Sequence, residues 1–178
     1  MNEAVLKKAL SGDKKAFSQV YSYYFDDLWR WVYSRIKNKD ITSDIISDSF
    51  IALYENIRNI KHPKALKSYL YKITKNRMIK FYAEEKPVNL SALDLDRIQI
   101  GNQLANNQEI EDEKTDDNRR LEVKLEEVLS KLPKMYEEVL RLRFIAGMKI
   151  REVAEVLDKT EGNVSKLFKI ERFRNRKH

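Results

Sequence analysis

Between Asp13 and Lys37 the chain carries Phe17, Val20, Tyr21, Tyr24, Leu28, Trp31 and Val32 at the three- and four-residue intervals of one helical face. A strand cannot present such a stripe, because its side chains alternate with a period of two, and a stripe this long needs a second apolar surface to cover it. The same period returns along the sequence. Ile46, Phe50, Leu53 and Ile57 mark a second helix, opened by Thr42 or Ser43, with Asp44 in its first turn where the helix dipole favours negative charge. After the break at His62-Pro63, Leu66, Leu70 and Ile73 define a third, from Lys64 to about Ala83. Leu121, Leu125, Val128 and Leu132 share a fourth. Pro133 fits the first turn of a fifth, whose inner stripe is Tyr136, Val139, Leu140 and Phe144 and which Gly147 ends. Four glycines and three prolines in 178 residues argue against sandwiches, barrels and Gly-rich nucleotide folds. The expected fold class is all-α.

Charge divides the chain into three blocks. Residues 1–83 hold 16 basic and 8 acidic side chains, residues 84–118 hold 3 and 10, and residues 119–178 hold 16 and 10. The middle block, which includes NQLANNQEIEDEKTDDN, has too few large apolar residues to build a core and reads as a tether. We therefore expect two small helical domains, 1–84 and 119–178, joined by an acidic flexible linker, 85–118. The second is a four-helix module. The net charge of +7 favours a polyanionic partner.

Ile150 to Lys169 has the spacing of a helix-turn-helix, with Ala154, Leu157, Val164 and Leu167 where two short crossed helices interlock. Asp158-Lys159-Thr160 forms the turn. Asp158 takes the place where glycine is common because the backbone often needs a positive φ, and Thr160 can cap the next helix, Glu161 to about Arg174. With Val164, Leu167 and Phe168 inward, Asn163, Lys166 and Lys169 face outward, and the predicted duplex-DNA set is Lys159, Thr160, Asn163, Ser165, Lys166, Lys169 and Arg172. Arg174, Arg176 and Lys177 continue the basic tail.

The third helix of the first block suggests a second nucleic-acid surface. Lys61, Lys64, Lys67, Lys72, Lys75, Arg77 and Lys80 occur with no acid between Asn56 and Ala83. A solvated lysine face normally interleaves glutamates one turn away, so this helix repels itself unless an anion from outside it supplies the countercharge. Tyr69, Tyr71, Phe81 and Tyr82 lie among these cations, and aromatic faces beside phosphate-binding groups are what unpaired bases stack on.

Other classes are weakened by absence. Without cysteine there is no disulfide, thiol nucleophile or cysteine-bound zinc, and His62 and His178 lack the sequence partners of a triad or metal site, so neither an enzyme nor a cofactor is expected. His62 reads as a turn residue or DNA contact. No apolar stretch is long enough to cross a bilayer and the N-terminus has no signal-peptide core, which predicts a soluble, cytoplasmic protein without membrane insertion. A conventional helix-turn-helix regulator with an N-terminal sensing or dimerisation domain is the alternative. That reading leaves the lysine helix unexplained.

Taken together, these segments resemble a bacterial RNA polymerase sigma factor of the extracytoplasmic-function class, within the sigma-70 family. GDKKAFSQVYSYYFDDLWRWV looks like the start of the first conserved sigma domain, and TSDIISDSFIALYENI is similar to its polymerase-binding helix. LKSYLYKITKNRMIKFY resembles the promoter-melting helix, with Lys80 where the family usually has Asp. LPKMYEEVLRLRFIAGMKIREVAEVLDKTEGNVSKLFKIERFRN matches the second domain, with Asn163 where Thr is common. The resemblance implies that Asp44, Ser47, Asp48 and Tyr54 bind the clamp coiled coil of the largest subunit of core RNA polymerase. Asn56, Lys61, Lys64, Lys67, Tyr69, Lys72, Lys75, Asn76 and Lys80 would hold the minus-ten element as single-stranded promoter DNA, and the helix-turn-helix would read the minus-thirty-five element as duplex. An anti-sigma factor is a further partner that the family suggests.

Overall fold

The computed structural model describes residues 1–85, 124 and 126–174, so the expected acidic linker, apart from Glu85, lies outside the described residues, as do Leu121 and Leu125. Every regular element described is helical. In chain order these are α1 (Glu3–Leu10), α2 (Lys14–Ile36), α3 (Lys39–Asn56), two 3₁₀ turns (Ile57–Asn59 and Pro63–Ala65) and α4 (Leu66–Glu85). Then come α5 (126–130), α6 (Lys134–Leu140), α7 (Ile150–Leu157) and α8 (Glu161–Arg174).

Local chemistry fixes most boundaries. Asp13 caps α2 by accepting from the Ala16 N–H at 2.8 Å, and Lys37 ends it in the left-handed region at φ 55°. The second helix starts earlier than expected. Asn38 caps α3 through the Ile41 N–H at 3.1 Å, while Thr42, one of the two predicted caps, is buried inside it. Asparagine is as strong a cap as threonine, and the Asn38 cap adds a full turn to the helix. Sequence periodicity did not single out α1, which is too short to show a repeat. It is held by an Asn2 cap at 2.9 Å and buries Leu6 and Ala9.

The first four helices pack around Val20, Leu28, Trp31, Ile46, Leu53, Leu66, Leu70 and Tyr71, all fully enclosed. This core does not stop at the first module. It continues without interruption into Val139, Leu142, Met148, Val153, Val156, Leu157 and Val164, because α4 packs along α7 and the C-terminal half of α2 meets the turn after α6. That turn is a π-helix, Arg141–Ile145, which widens the repeat and re-aims the side chains that follow. Leu142 is buried there, and Phe144, predicted to be internal, is 71% exposed. Val128 is likewise exposed, with Leu129 taking the inward position in α5.

Candidate nucleic-acid and polymerase interfaces

The helix-turn-helix is assembled as its spacing requires. α7 buries Val153, Ala154, Val156 and Leu157, and the Glu152 carboxylate accepts from the Lys149 N–H at 2.7 Å to close its first turn. Asp158 then stands in the left-handed region at φ 53°, and the Lys159 N–H returns to the Ala154 carbonyl at 3.0 Å. Thr160 Oγ1 accepts from the Asn163 N–H at 3.2 Å, the cap expected for α8. Val164 is completely buried and Leu167 and Phe168 pack on the core. Lys159, Thr160, Asn163, Lys166 and Lys169 are exposed together and Ser165 is half-buried. The side chain of Arg172 lies outside the described residues, as do Arg176 and Lys177.

The lysine helix is arranged differently. Lys61, Lys64, Asn76 and Lys80 are exposed, with Lys80 3.6 Å from Glu84. Lys67, Lys72 and Lys75 instead turn onto the C-terminal module. Lys67 Nζ donates to the Ala146 carbonyl at 3.1 Å and the Gly147 carbonyl at 3.4 Å, and Lys75 Nζ, only 8% exposed, donates to the Val156 carbonyl at 2.8 Å. Lys72 pairs with Asp158. The countercharge for these three lysines thus comes from the carbonyl ends of the π-turn and α7, where a helix dipole is negative, and from one carboxylate. Burial pulls the Lys75 pKa down against the opposing pull of Asp158, and the Lys72 hydrogen bond holds the Asp158 carboxyl below its usual range.

The aromatic residues of α4 are mostly core. Tyr71 is fully enclosed with its ring 5.1 Å from Trp31, and Tyr69, Phe81 and Tyr82 are half-buried, the last donating its hydroxyl to the Arg35 carbonyl at 3.0 Å. The expected exposed stacking platform therefore loses Tyr71, whose ring covers Trp31 of α2, while Tyr69, Phe81 and Tyr82 keep part of their surface. Asn56 returns its amide to the Ala52 carbonyl at 2.9 Å.

On α3, Asp44, Ser47 and Asp48 are exposed on one face, and Asp48 accepts from Arg77 at 3.0 Å. Tyr54 is 41% exposed and meets Phe17 edge-on at 4.9 Å. Periodicity did not flag Ile51, which is 57% exposed in the same patch. By helical spacing Ile51 lies one turn from Ser47, Asp48, Tyr54 and Glu55, so this exposed face combines an apolar side chain with polar and acidic ones.

A buried charge cluster between the modules also escaped the sequence reading. Arg141, 1% exposed, donates from Nε to Glu137 at 2.9 Å, from its two terminal nitrogens to Glu126, and to the Ser34 carbonyl at the end of α2 at 3.2 Å. Arg35 reaches back from α2 to Glu137 at 3.3 Å and also pairs with Glu138, and Lys37 lies 3.4 Å from Glu126. Burial pushes the Arg35 pKa down, with Glu137 opposing. Burial also pushes Glu126 up, but the hydrogen bond and charge of Arg141, helped by Lys37, outweigh it and hold that carboxyl low. The available signal was the intrusion of Glu137, Glu138 and Arg141 into an otherwise apolar helix.

With a helix-turn-helix, a basic helix and an acidic helix face on one chain, comparison with known proteins decides the family. The family model described as ECF sigma factor matches residues 3–178. The chain belongs to that family. It is 28% identical over 138 residues to the RNA polymerase sigma factor SigV of Bacillus subtilis, spanning 78% of this chain and 75% of the relative. It is 26% identical over 177 residues to the ECF RNA polymerase sigma-E factor of Haemophilus influenzae, spanning 94% and 90%. A chain in the solved structure of CnrH in complex with the cytosolic domain of CnrY has the same fold, with a TM-score of 0.67 and 20% identity over 96% of this chain and 91% of that one. As an ECF sigma factor, the protein works with RNA polymerase and directs promoter-specific initiation of transcription. The conventional-regulator alternative is not favoured, since the match runs through both modules rather than the helix-turn-helix alone.

Proposed function

We propose that three surfaces divide the work of this sigma factor. The α3 face with Asp44, Ser47, Asp48, Ile51 and Tyr54 docks on the clamp coiled coil of the polymerase largest subunit. The carboxylates meet basic groups there, and Ile51 supplies the apolar centre. The α4 helix and the loop before it, from Asn56 to Lys80, hold the separated strand of the minus-ten element. The lysines lie along phosphates and Tyr69 stands beside a flipped base, whose extrusion costs a few kcal/mol. The exposed face of α8 enters the major groove of the minus-thirty-five element, with Asn163 and Lys166 toward base edges and Lys159 and Lys169 toward phosphates.

The observation that carries this reading is the outward grouping of Thr160, Asn163, Lys166 and Lys169 on a helix anchored by fully buried Val164, within a chain matched end to end by the family. Residues 1–84 and 119–178 would act as separate domains on the promoter, with residues 85–118 as the tether between them. The protein acts in the cytoplasm as a transcription factor rather than an enzyme and needs no metal or cofactor. An anti-sigma protein is a further partner; the similar chain CnrH was solved in complex with another protein, the cytosolic domain of CnrY.

Purified core polymerase, this chain and a pool of randomised promoters test the assignment. Transcripts should start from sites sharing two sequence elements at fixed separation. Transcripts that share only a minus-ten element would remove the role given to α8.

A further inference from the structure

The turn between α1 and α2 is occupied by a side chain from elsewhere. Gly12 stands there at φ 92°, and the guanidinium of Arg58 fills the space its side chain would need. A Cβ on Gly12 would come within 2.9 Å of Arg58 Nη2, 3.1 Å of Nε and 3.4 Å of Cζ. Glycine therefore suits this position for its backbone angle and for the room it leaves. Arg58 itself belongs to the 3₁₀ turn Ile57–Asn59, where the loop from α3 to α4 begins.

An arginine held in one place normally spends its donors on a carboxylate or a carbonyl. Arg58 is exposed and donates to no acceptor among the described residues, and Glu55, about one helical turn earlier, is exposed and does not pair with it. The N–H groups of a guanidinium form a planar fork that matches the oxygens of a phosphate. Lys8, Lys14 and Lys15, on either side of Gly12 in the chain, are likewise exposed without an acidic partner among the described residues. The carboxylate beside them, Asp13, is engaged by the Ala16 N–H. Because α1 packs against both 3₁₀ turns of the loop, this basic surface adjoins the one that carries Lys61 and Lys64.

We propose that Arg58 is a phosphate-binding residue, set in position by Gly12, and that it grips the backbone of the separated promoter strand beside the bases of the minus-ten element. This rests on the reading of the loop and α4 as the strand-holding surface. Lys8, Lys14 and Lys15 add attraction without fixed geometry, since each is a point charge on a flexible stem. Arg58 differs because the fold has already restricted its side chain, so less conformational entropy is lost when a phosphate arrives.

The test uses core polymerase, this chain and a promoter recovered from the randomised pool, its separated strand carrying one uncharged methylphosphonate at a time. At one phosphate in or beside the minus-ten element, neutralisation should weaken the complex by about fivefold, the upper end for an ion pair in contact with water. Arg58→Ala should weaken the unmodified complex by the same factor and show no further loss at that phosphate, and Arg58→Lys should recover part of it. Gly12→Ala, whose Cβ displaces the guanidinium, should copy Arg58→Ala and add nothing to it in the double variant. Arg58 is exposed, so its own variants keep the fold and decide the contact even where the strained Gly12→Ala chain does not fold. A further loss in the double variant would remove the positioning role of Gly12. Sensitive phosphates of which none depends on Arg58 would overturn the proposal and leave the strand-holding surface standing. If neutralisation has no effect anywhere along the element, the reading of that surface fails, and the role of Arg58 fails with it.

Discussion

Replacing Arg141 by methionine keeps the volume of the side chain and removes the charge at the centre of the junction. Glu137, 4% exposed and 2.9 Å from Arg141 Nε, then keeps only Arg35 and Lys134 nearby, and the Ser34 carbonyl loses a donor. Removing one partner from a buried ion pair typically costs about 3–5 kcal/mol, because the remaining charge stays desolvated. Here part of that cost can be escaped. The stranded carboxylates reach water if the two modules separate, so the loss is capped by the free energy that holds them together. In urea, the unaltered protein should unfold in one transition by circular dichroism, with both modules sharing a core. The Arg141→Met chain should show two, the C-terminal module melting first. Adding Glu137→Gln should draw the transitions together again, since the stranded charge is removed. A single transition in Arg141→Met, shifted by less than about 1 kcal/mol, would refute the assignment of the cluster as the coupling between modules.

Asp48→Arg should abolish complex formation with core polymerase in gel filtration while leaving duplex DNA binding unchanged, and retained complex would remove α3 from the docking surface. Lys166→Ala and Lys169→Ala should each flatten the salt dependence of duplex binding by about one unit if they touch phosphates, and altered sequence preference would assign them to bases instead. Burial, with Tyr23 and Glu152 adding to it, pushes the Tyr24 pKa up to about 12, and burial pushes Tyr71 higher still. Both neutral phenols stabilise the fold fully below the ordinary value near 10, and that contribution is lost as pH rises beyond it. An alkaline absorbance titration should therefore show Tyr24 and Tyr71 ionising only as the helices melt. Nine equivalent phenols with intact circular dichroism would contradict the packing of α2 against α4.

Helix placement was legible wherever a stripe was long. The stripe from Phe17 to Val32 set α2 to within a residue at each end, since Asp13 and Lys37 are its caps. Turn chemistry was equally legible, as Asp158 and Thr160 take the conformations their side chains allow. What periodicity could not supply was anything set by contact between distant segments. Phe144 turns outward because a π-turn breaks the register that its spacing assumes. Lys67 and Lys75 of α4 show no partner in the sequence because their acceptors are backbone carbonyls 79 to 81 residues away, which no pattern of side chains reveals. The aromatic residues among them read as a stacking platform for the same reason, since the α2 surface they cover is invisible within α4.

Asp158 holds a backbone shape that glycine adopts freely and that costs an L-residue about 1–2 kcal/mol. A glycine there would make the turn easier to form, but it would have no carboxylate to offer Lys72. The turn thus accepts a less comfortable conformation in return for a grip on the other half of the molecule, and ease of local folding and attachment between the modules pull one residue in opposite directions.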